Sequence, residues 1–259
     1  MLASVIISIG LFFALLIGLE TGRRLGRRLN TTSDDSGTGA AERLIFTVLG
    51  LIFAFSFSAS AARFNDRRKL IVDQANALTT ASMRLDVLEA ADRIAIRQKM
   101  LQWVGEAQNL PPLEDDASTR AATIARAAQL QTDAWHLAAA AVEKKQQPAL
   151  WALVMTPIND WTNLSSTRQA VDNLDTPRVV IVTLIVLSLI ASVLAGFPMS
   201  RSSTRSSVLH GIALAASLSF VVLVIFDLDG PRSGFIQVRS IDQTMAHTEQ
   251  SIKAALEGK

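Results

Sequence analysis

Leu44-Ile45-Phe46-Thr47-Val48-Leu49-Gly50-Leu51-Ile52-Phe53-Ala54-Phe55-Ser56-Phe57-Ser58-Ala59-Ser60-Ala61-Ala62 is a run of nineteen residues without a charge, and Arg63-Phe64-Asn65-Asp66-Arg67-Arg68-Lys69 follows it at once. As a helix rising about 1.5 Å per residue, the run covers roughly 28 Å, close to the ~30 Å hydrocarbon core of a bilayer. It contains none of the Asp, Lys or Arg side chains that cost about 3 kcal/mol each at the centre of a membrane. The switch to basic residues marks where the chain leaves lipid. The stretch reads as a transmembrane helix.

Working outward, Leu2 to Leu19, Val179 to Met199 and Val208 to Phe226 are equally free of Asp, Glu, Lys and Arg. Each is long enough to span. Apolar residues make up 49% of the 259-residue chain, and the mean hydropathy is +0.30, high for a protein that must remain soluble by itself. The first block lacks a basic leader, and Glu20-Thr21-Gly22-Arg23 is a poor cleavage site, so it is expected to be retained as a span and not removed as a signal peptide. The predicted fold class is therefore all-α, a polytopic membrane protein with four transmembrane helices and a helical soluble segment between the second and third. The expected divisions are 1–62, the first helix pair with its basic connector; 63–178, the soluble segment; 179–226, a second membrane hairpin; and 227–259, a tail.

From Arg63 the chain contains no Gly or Pro until Gly105, and Leu70, Ala77, Leu78, Ala81, Leu85 and Leu88 recur on a helical stripe. The second span is expected to run on as a long amphipathic helix. Asn109-Leu110-Pro111-Pro112 predicts a break, after which Ser118 or Thr119 is the expected N-cap of an Ala-rich helix reaching Lys145. Pro148 and Pro157 bracket Leu150 to Met155, which reads either as core or as a short helix on the membrane surface. Asn173 to Pro177 reads as a turn into the third span, Gly234 to Val238 as extended, and Ser240 to Leu256 as an amphipathic helix. Within the second span, Ser56 and Ser60 share a face while Ser58 points nearly opposite, a pattern that argues for helix packing and supplies no polar stripe. The third and fourth spans read as packing partners of the second.

Chemistry-bearing patterns are sparse. His136, His210 and His247 lie far apart with no ligand spacing, and no nucleophile elbow, phosphate loop or dinucleotide fingerprint is present. The expectation is no enzyme, no cofactor and no metal. A net charge of +2 points away from nucleic acid. Cysteine is absent, removing disulfides and thiolate chemistry. His210 sits near the start of the fourth span, where it reads either as a proton-sensing group or as a headgroup-level residue. Asp227 and Asp229 close the same span, as an acidic ring in an oligomer or as partners of Arg232.

Short loops carry the orientation signal. Arg23, Arg24, Arg27, Arg28 and Arg43 in the first loop, with Arg201 and Arg205 in the third, place those loops in the cytoplasm. The soluble segment then lies on the non-cytoplasmic side.

The stretch from Phe55 through Ala62 into Arg63-Phe64-Asn65-Asp66-Arg67-Arg68-Lys69-Leu70, the continuation Val72-Asp73-Gln74-Ala75-Asn76-Ala77-Leu78, and Asp227-Leu228-Asp229-Gly230-Pro231-Arg232-Ser233-Gly234-Phe235-Ile236-Gln237-Val238 resemble the bacterial membrane proteins with a bestrophin-like domain. A more distant similarity runs to bestrophins, pentameric anion channels whose second span lines the pore. The resemblance implies a homo-oligomer in a bacterial inner membrane, with small anions as the permeating species. It implies by position a neck of Thr47, Leu51 and Phe55, although Thr47 departs from the apolar pattern, and a mouth of Arg63, Arg67 and Arg68, which read equally as ordinary interfacial anchors. Asp66, Asn76, Asp227, Asp229, Pro231 and Arg232 belong to the shared stretches without an assigned role. The same resemblance implies a cytoplasmic soluble segment, opposite to the loop charges. The alternative reading is a non-conducting sensor or scaffold whose soluble helices, among them the one from Arg67 to Leu88, bind a partner.

Overall fold

The computed structural model describes residues 2–29, 36–111, 116–172, 177–201, 205–229 and 239–258. They form α1 (Leu2–Leu29), α2 (Ser36–Arg84), α3 (Ala90–Gln108), α4 (Ala117–Lys145), α5 (Pro148–Asp172), α6 (Arg178–Gly196), α7 (Arg205–Asp229) and α8 (Arg239–Leu256). Four stretches are long and apolar enough to cross a bilayer: Ser4–Leu29, Arg43–Val87, Val179–Ser200 and Val208–Leu228. The chain divides into two units, Met1–Phe64 with Asp175–Ile236, and Asn65–Leu174 with Gln237–Lys259. The residues Gly230 to Val238, including the expected extended stretch, lie outside those described.

In the first unit α1 is the element on which α6 and α7 both pack. The sequence pointed instead to the second span as their common partner. Glycine explains the difference. Gly18, Gly22 and Gly26 recur at one-turn intervals on α1 and meet Ser192, Val193 and Phe197 to Ser200 of the third-span region, while Gly196 meets the backbone of Leu19. A Cβ added to Gly22 would lie 1.9 Å from the Val193 carbonyl oxygen, and one added to Gly196 would lie 2.1 Å from that of Leu19. Small residues spaced by four let helix backbones touch, which replaces the hydrophobic drive that lipid does not provide. Ser188 and Ser192 satisfy their hydroxyls within α6, donating to the carbonyls of Leu184 at 2.6 Å and Leu189 at 2.8 Å. The second helix adds Leu49 and Phe53 to a shared cluster with Leu11, Leu15, Leu184, Ala191, Ala215 and Ile225.

In the second unit, the later part of α2 contributes Ile71, Ala75, Leu78 and Ala81 to a core built with α3, α4, α5 and α8. Ala134, Ala138 and Ala141 form the buried face of α4, and their small side chains let α3 and α5 approach. Trp103 of α3 meets Trp161 of α5 edge to face, with ring centroids 5.1 Å apart. Leu150 to Met155 is part of α5, with Val154 and Met155 buried in this core and Pro157 inside the helix, so the core reading holds. Met245, Thr248 and Ile252 are the buried stripe of α8, which packs against α3.

Two local expectations change. The helix continuing the second span, expected to reach Leu88, stops one turn short of it. It ends at Arg84, passes through a 3-10 turn at Leu85–Val87 and becomes extended at Leu88, with φ −89° and ψ 166°. No Gly or Pro forces this. Instead the end is made comfortable from afar: Arg97 of α3 donates to the Ser82 carbonyl at 2.9 Å, one of the acceptors that a helix end leaves without a partner. The N-cap of α4 is Asp116, two residues earlier than expected. Its carboxylate accepts from the Ser118 and Thr119 amides at 3.0 and 3.3 Å and from both hydroxyls. Those donors hold the Asp116 carboxyl at about 2, well below its ordinary value.

Candidate functional site: the outer face of the second helix

One hundred degrees of rotation per residue sorts the side chains of α2 into two opposed rows. Leu49, Phe53, Ser56 and Ser60 are buried in the first unit. Opposite them, Leu44, Thr47, Val48, Leu51 and Phe55 are exposed, Leu51 at 54% and Phe55 at 67%. The three positions expected to form a neck therefore share one uncovered face. Thr47 is less of a departure than its formula suggests. Its hydroxyl donates to the Arg43 carbonyl at 2.8 Å, so the polar atom is satisfied within its own helix.

The basic residues do not all follow that face. Counting turns from Phe55, Arg63 and Arg67 fall on the side of Ser56 and Ser60. Arg63 is half-buried and donates through Nη2 to the Ser60 hydroxyl at 2.8 Å. Arg67, which belongs to the second unit, is only 2% exposed. Asp66, Arg68, Lys69 and Asn76 are exposed, and Lys69 is the cation nearest in helical phase to Phe55. From sequence the basic run reads as a mouth or as interfacial anchors. Helical phase, legible in the spacing, separates it.

Asp227 is buried at the end of α7 in the first unit. Pro231, Arg232 and the side chain of Asp229 lie outside the described residues. His136, His210 and His247 are all exposed. Among the described residues no group of three His, Asp or Glu side chains is placed to hold a metal ion.

A second polar constellation, unanticipated from sequence, occupies the core of the second unit. The Ser165 hydroxyl accepts from Gln74 and Gln131, each at 2.6 Å, and donates to the Trp161 carbonyl at 2.9 Å. Arg168 donates to the Gln74 side-chain carbonyl at 2.9 Å. A cavity of about 40 Å³ adjoins it, no more than a water or two in size. Because Ser165 has both a saturated oxygen and a committed proton, the network fixes helix register and offers no activated nucleophile. The only signal for it in the sequence is that Gln74 follows Ile71 on the buried stripe of α2.

Comparison with known proteins agrees with this architecture. The family model described as Bestrophin-like domain matches residues 21–242. A crystal structure of a bacterial bestrophin homolog from Klebsiella pneumoniae, solved by zinc phasing, superposes with a TM-score of 0.76 at 12% identity, covering 95% of this chain and 98% of that one. A point variant of a Klebsiella pneumoniae homolog gives 0.75 at 13% identity, covering 96% of this chain and 100% of that one. At such identity the likeness is one of fold. No curated protein matches the chain significantly.

Proposed function

Because the chain belongs to the Bestrophin-like domain family, we propose that copies of it assemble around α2 into a pore for small anions in a bacterial inner membrane. It is an integral membrane protein of that type. The observation that supports conduction is the uncovered row of Thr47, Leu51 and Phe55 on α2. Every span has a lipid-compatible outer face, and α1 too ends in exposed arginines; this row is singled out because it lies on the helix that resembles the pore-lining second span of bestrophins. Rings of Leu51 and Phe55 from neighbouring copies would make a constriction that excludes water until it widens. Lys69, the exposed cation nearest in phase to Phe55, then raises the local anion concentration near the second helix, while Arg63 is engaged by Ser60 of the same helix.

Chloride flux into liposomes carrying the purified protein is the test. Wild type is expected to conduct, and Phe55→Ala, which removes the bulkiest ring of the neck, is expected to raise the flux several-fold. Absence of flux from both removes the pore and leaves the scaffold reading. Sidedness is decided by fusion at Lys259. Active alkaline phosphatase there follows from the loop arginines, which support an outward second unit; an inactive fusion supports the cytoplasmic placement that bestrophins have.

A further inference from the structure

The arginine-rich end of α1 borders an apolar cavity that the pore reading does not use. The cavity measures about 120 Å³ and lies wholly within the first unit, between α1 and the start of α7. Leu16 and Leu19 form one wall, Val208 and Ile212 the other. The hollow is open at one side, and its aliphatic walls offer an apolar guest a surface away from water. A second, wider hollow of about 360 Å³ on the neighbouring flank of α1 shares Leu16 and Glu20 with the first, so the pair forms a trough around that turn of the helix.

Charge at the rim says what kind of guest it is. Arg23 lines the cavity, and its Nε is buried with no hydrogen-bond partner among the described residues. Among the described residues its anionic partner is Glu20, which is poorly placed for it: the Glu20 carboxylate lies 3.9 Å from an Arg23 Nη and is engaged by Arg24 Nε at 2.9 Å. One carboxylate is thus shared by the guanidiniums of Arg23 and Arg24, with Arg27 and Arg28 following in the same helix. A buried N–H without an acceptor costs about 1–3 kcal/mol, so an acceptor arriving with the guest is favoured. An apolar tail joined to an anion is the chemistry of an anionic phospholipid, and basic clusters at the end of a membrane helix recruit such lipids.

We propose that α1, with the start of α7, holds one anionic phospholipid, its acyl chain in the trough walled by Leu16, Leu19, Val208 and Ile212 and its phosphate on Arg23. The guanidinium fork offers a phosphate two parallel hydrogen bonds, geometry that a lysine would not reproduce.

Native mass spectrometry of detergent-purified protein titrated with phosphatidylglycerol, phosphatidylcholine or inorganic phosphate tests this without reference to conduction. The expected result is one tightly held phosphatidylglycerol, at least about tenfold weaker binding of phosphatidylcholine, and no competition by inorganic phosphate. Arg23→Gln is expected to weaken phosphatidylglycerol about tenfold or more. Val208→Trp, at an exposed wall position that tolerates bulk, is expected to weaken both lipids by filling the trough. Unchanged phosphatidylglycerol affinity in folded Arg23→Gln, equal binding of the neutral lipid, or full competition by inorganic phosphate each overturns it. Should Arg23→Gln fail to fold, Val208→Trp carries the decision, and retention of lipid by that variant overturns the proposal.

Discussion

Gly22→Ala is expected to abolish the native packing of the membrane unit, although it adds a single methyl group. The new Cβ would sit 1.9 Å from the Val193 carbonyl oxygen, 2.8 Å from its carbon and 3.1 Å from its Cα. These are backbone atoms in the last turn of α6, so no rotamer change relieves the clash. The helices must separate by more than 1 Å, and separation also opens the contacts of Gly18, Leu19 and Gly26, because all lie on the same line. Overpacking of a close core costs about 1–3 kcal/mol and more where the neighbours cannot move; here the upper end is expected. Membrane helices have little hydrophobic drive to compensate. The measurement is the monodisperse fraction in detergent and its thermal midpoint. Gly22→Ala should give mostly aggregate, while Gly10→Ala, with nothing within 4 Å, should match wild type. Equal behaviour of the two variants would mean that α1 and α6 are not in backbone contact.

The second large effect is expected at Arg97, a cation buried in the second unit. It is 1% exposed and donates to Ser82 Oγ at 3.3 Å, the Ser82 carbonyl at 2.9 Å, the Ala255 carbonyl at 3.0 Å and Asp86 at 2.7 Å. Two of these acceptors are the terminal carbonyls of α2 and α8, which have no intrahelical donor. Arg97→Met keeps most of the volume and leaves both without a partner. At about 1–3 kcal/mol per stranded group, the loss is expected to be about 3 kcal/mol. The Asp86 pair adds little, since that carboxylate is 63% exposed and rehydrates. The signature is local as well as global. Amide exchange of α8 should accelerate more than that of α4, because the Ala255 contact ties α8 to the core. Arg97→Lys should fall between, one ammonium being unable to reach acceptors on three sides. Uniform loss of protection across the unit would show that Arg97 only fills space.

How much of this was legible follows from the range of the forces involved. Membrane insertion is a sum over single residues, each transferred to lipid at its own cost, and therefore it reads directly from composition along Leu44 to Ala62 and the other three blocks. The rotation of α2 that puts Leu51 and Phe55 on one side and Ser56, Ser60 and Arg63 on the other is a property of spacing alone. So is the separation of Arg67 from Arg68, and it was there to be counted. The N-cap lay within reach of local rules as well, Asp116 simply being a better-placed acceptor than the two hydroxyls after it.

The stop at Arg84 was not legible. Local propensity favours continuation through Leu85 and Leu88, and what ends the helix is a guanidinium thirteen residues further along the chain. The choice of α1 as the packing centre of the membrane unit is of the same kind. Its glycines are visible in the sequence, but a glycine shows only that a backbone can be approached. Which backbone approaches it is settled by the pairing of Gly22 with Val193 and of Gly196 with Leu19. By itself the sequence determined that this chain lives in a membrane, where its four spans lie and which helix carries the family's signature. Tertiary structure alone decided which helices touch, which arginines are spent on the protein's own carbonyls and hydroxyls, and which buried donor has no acceptor among the described residues, because close contact and hydrogen-bond satisfaction depend on partners distant in the chain.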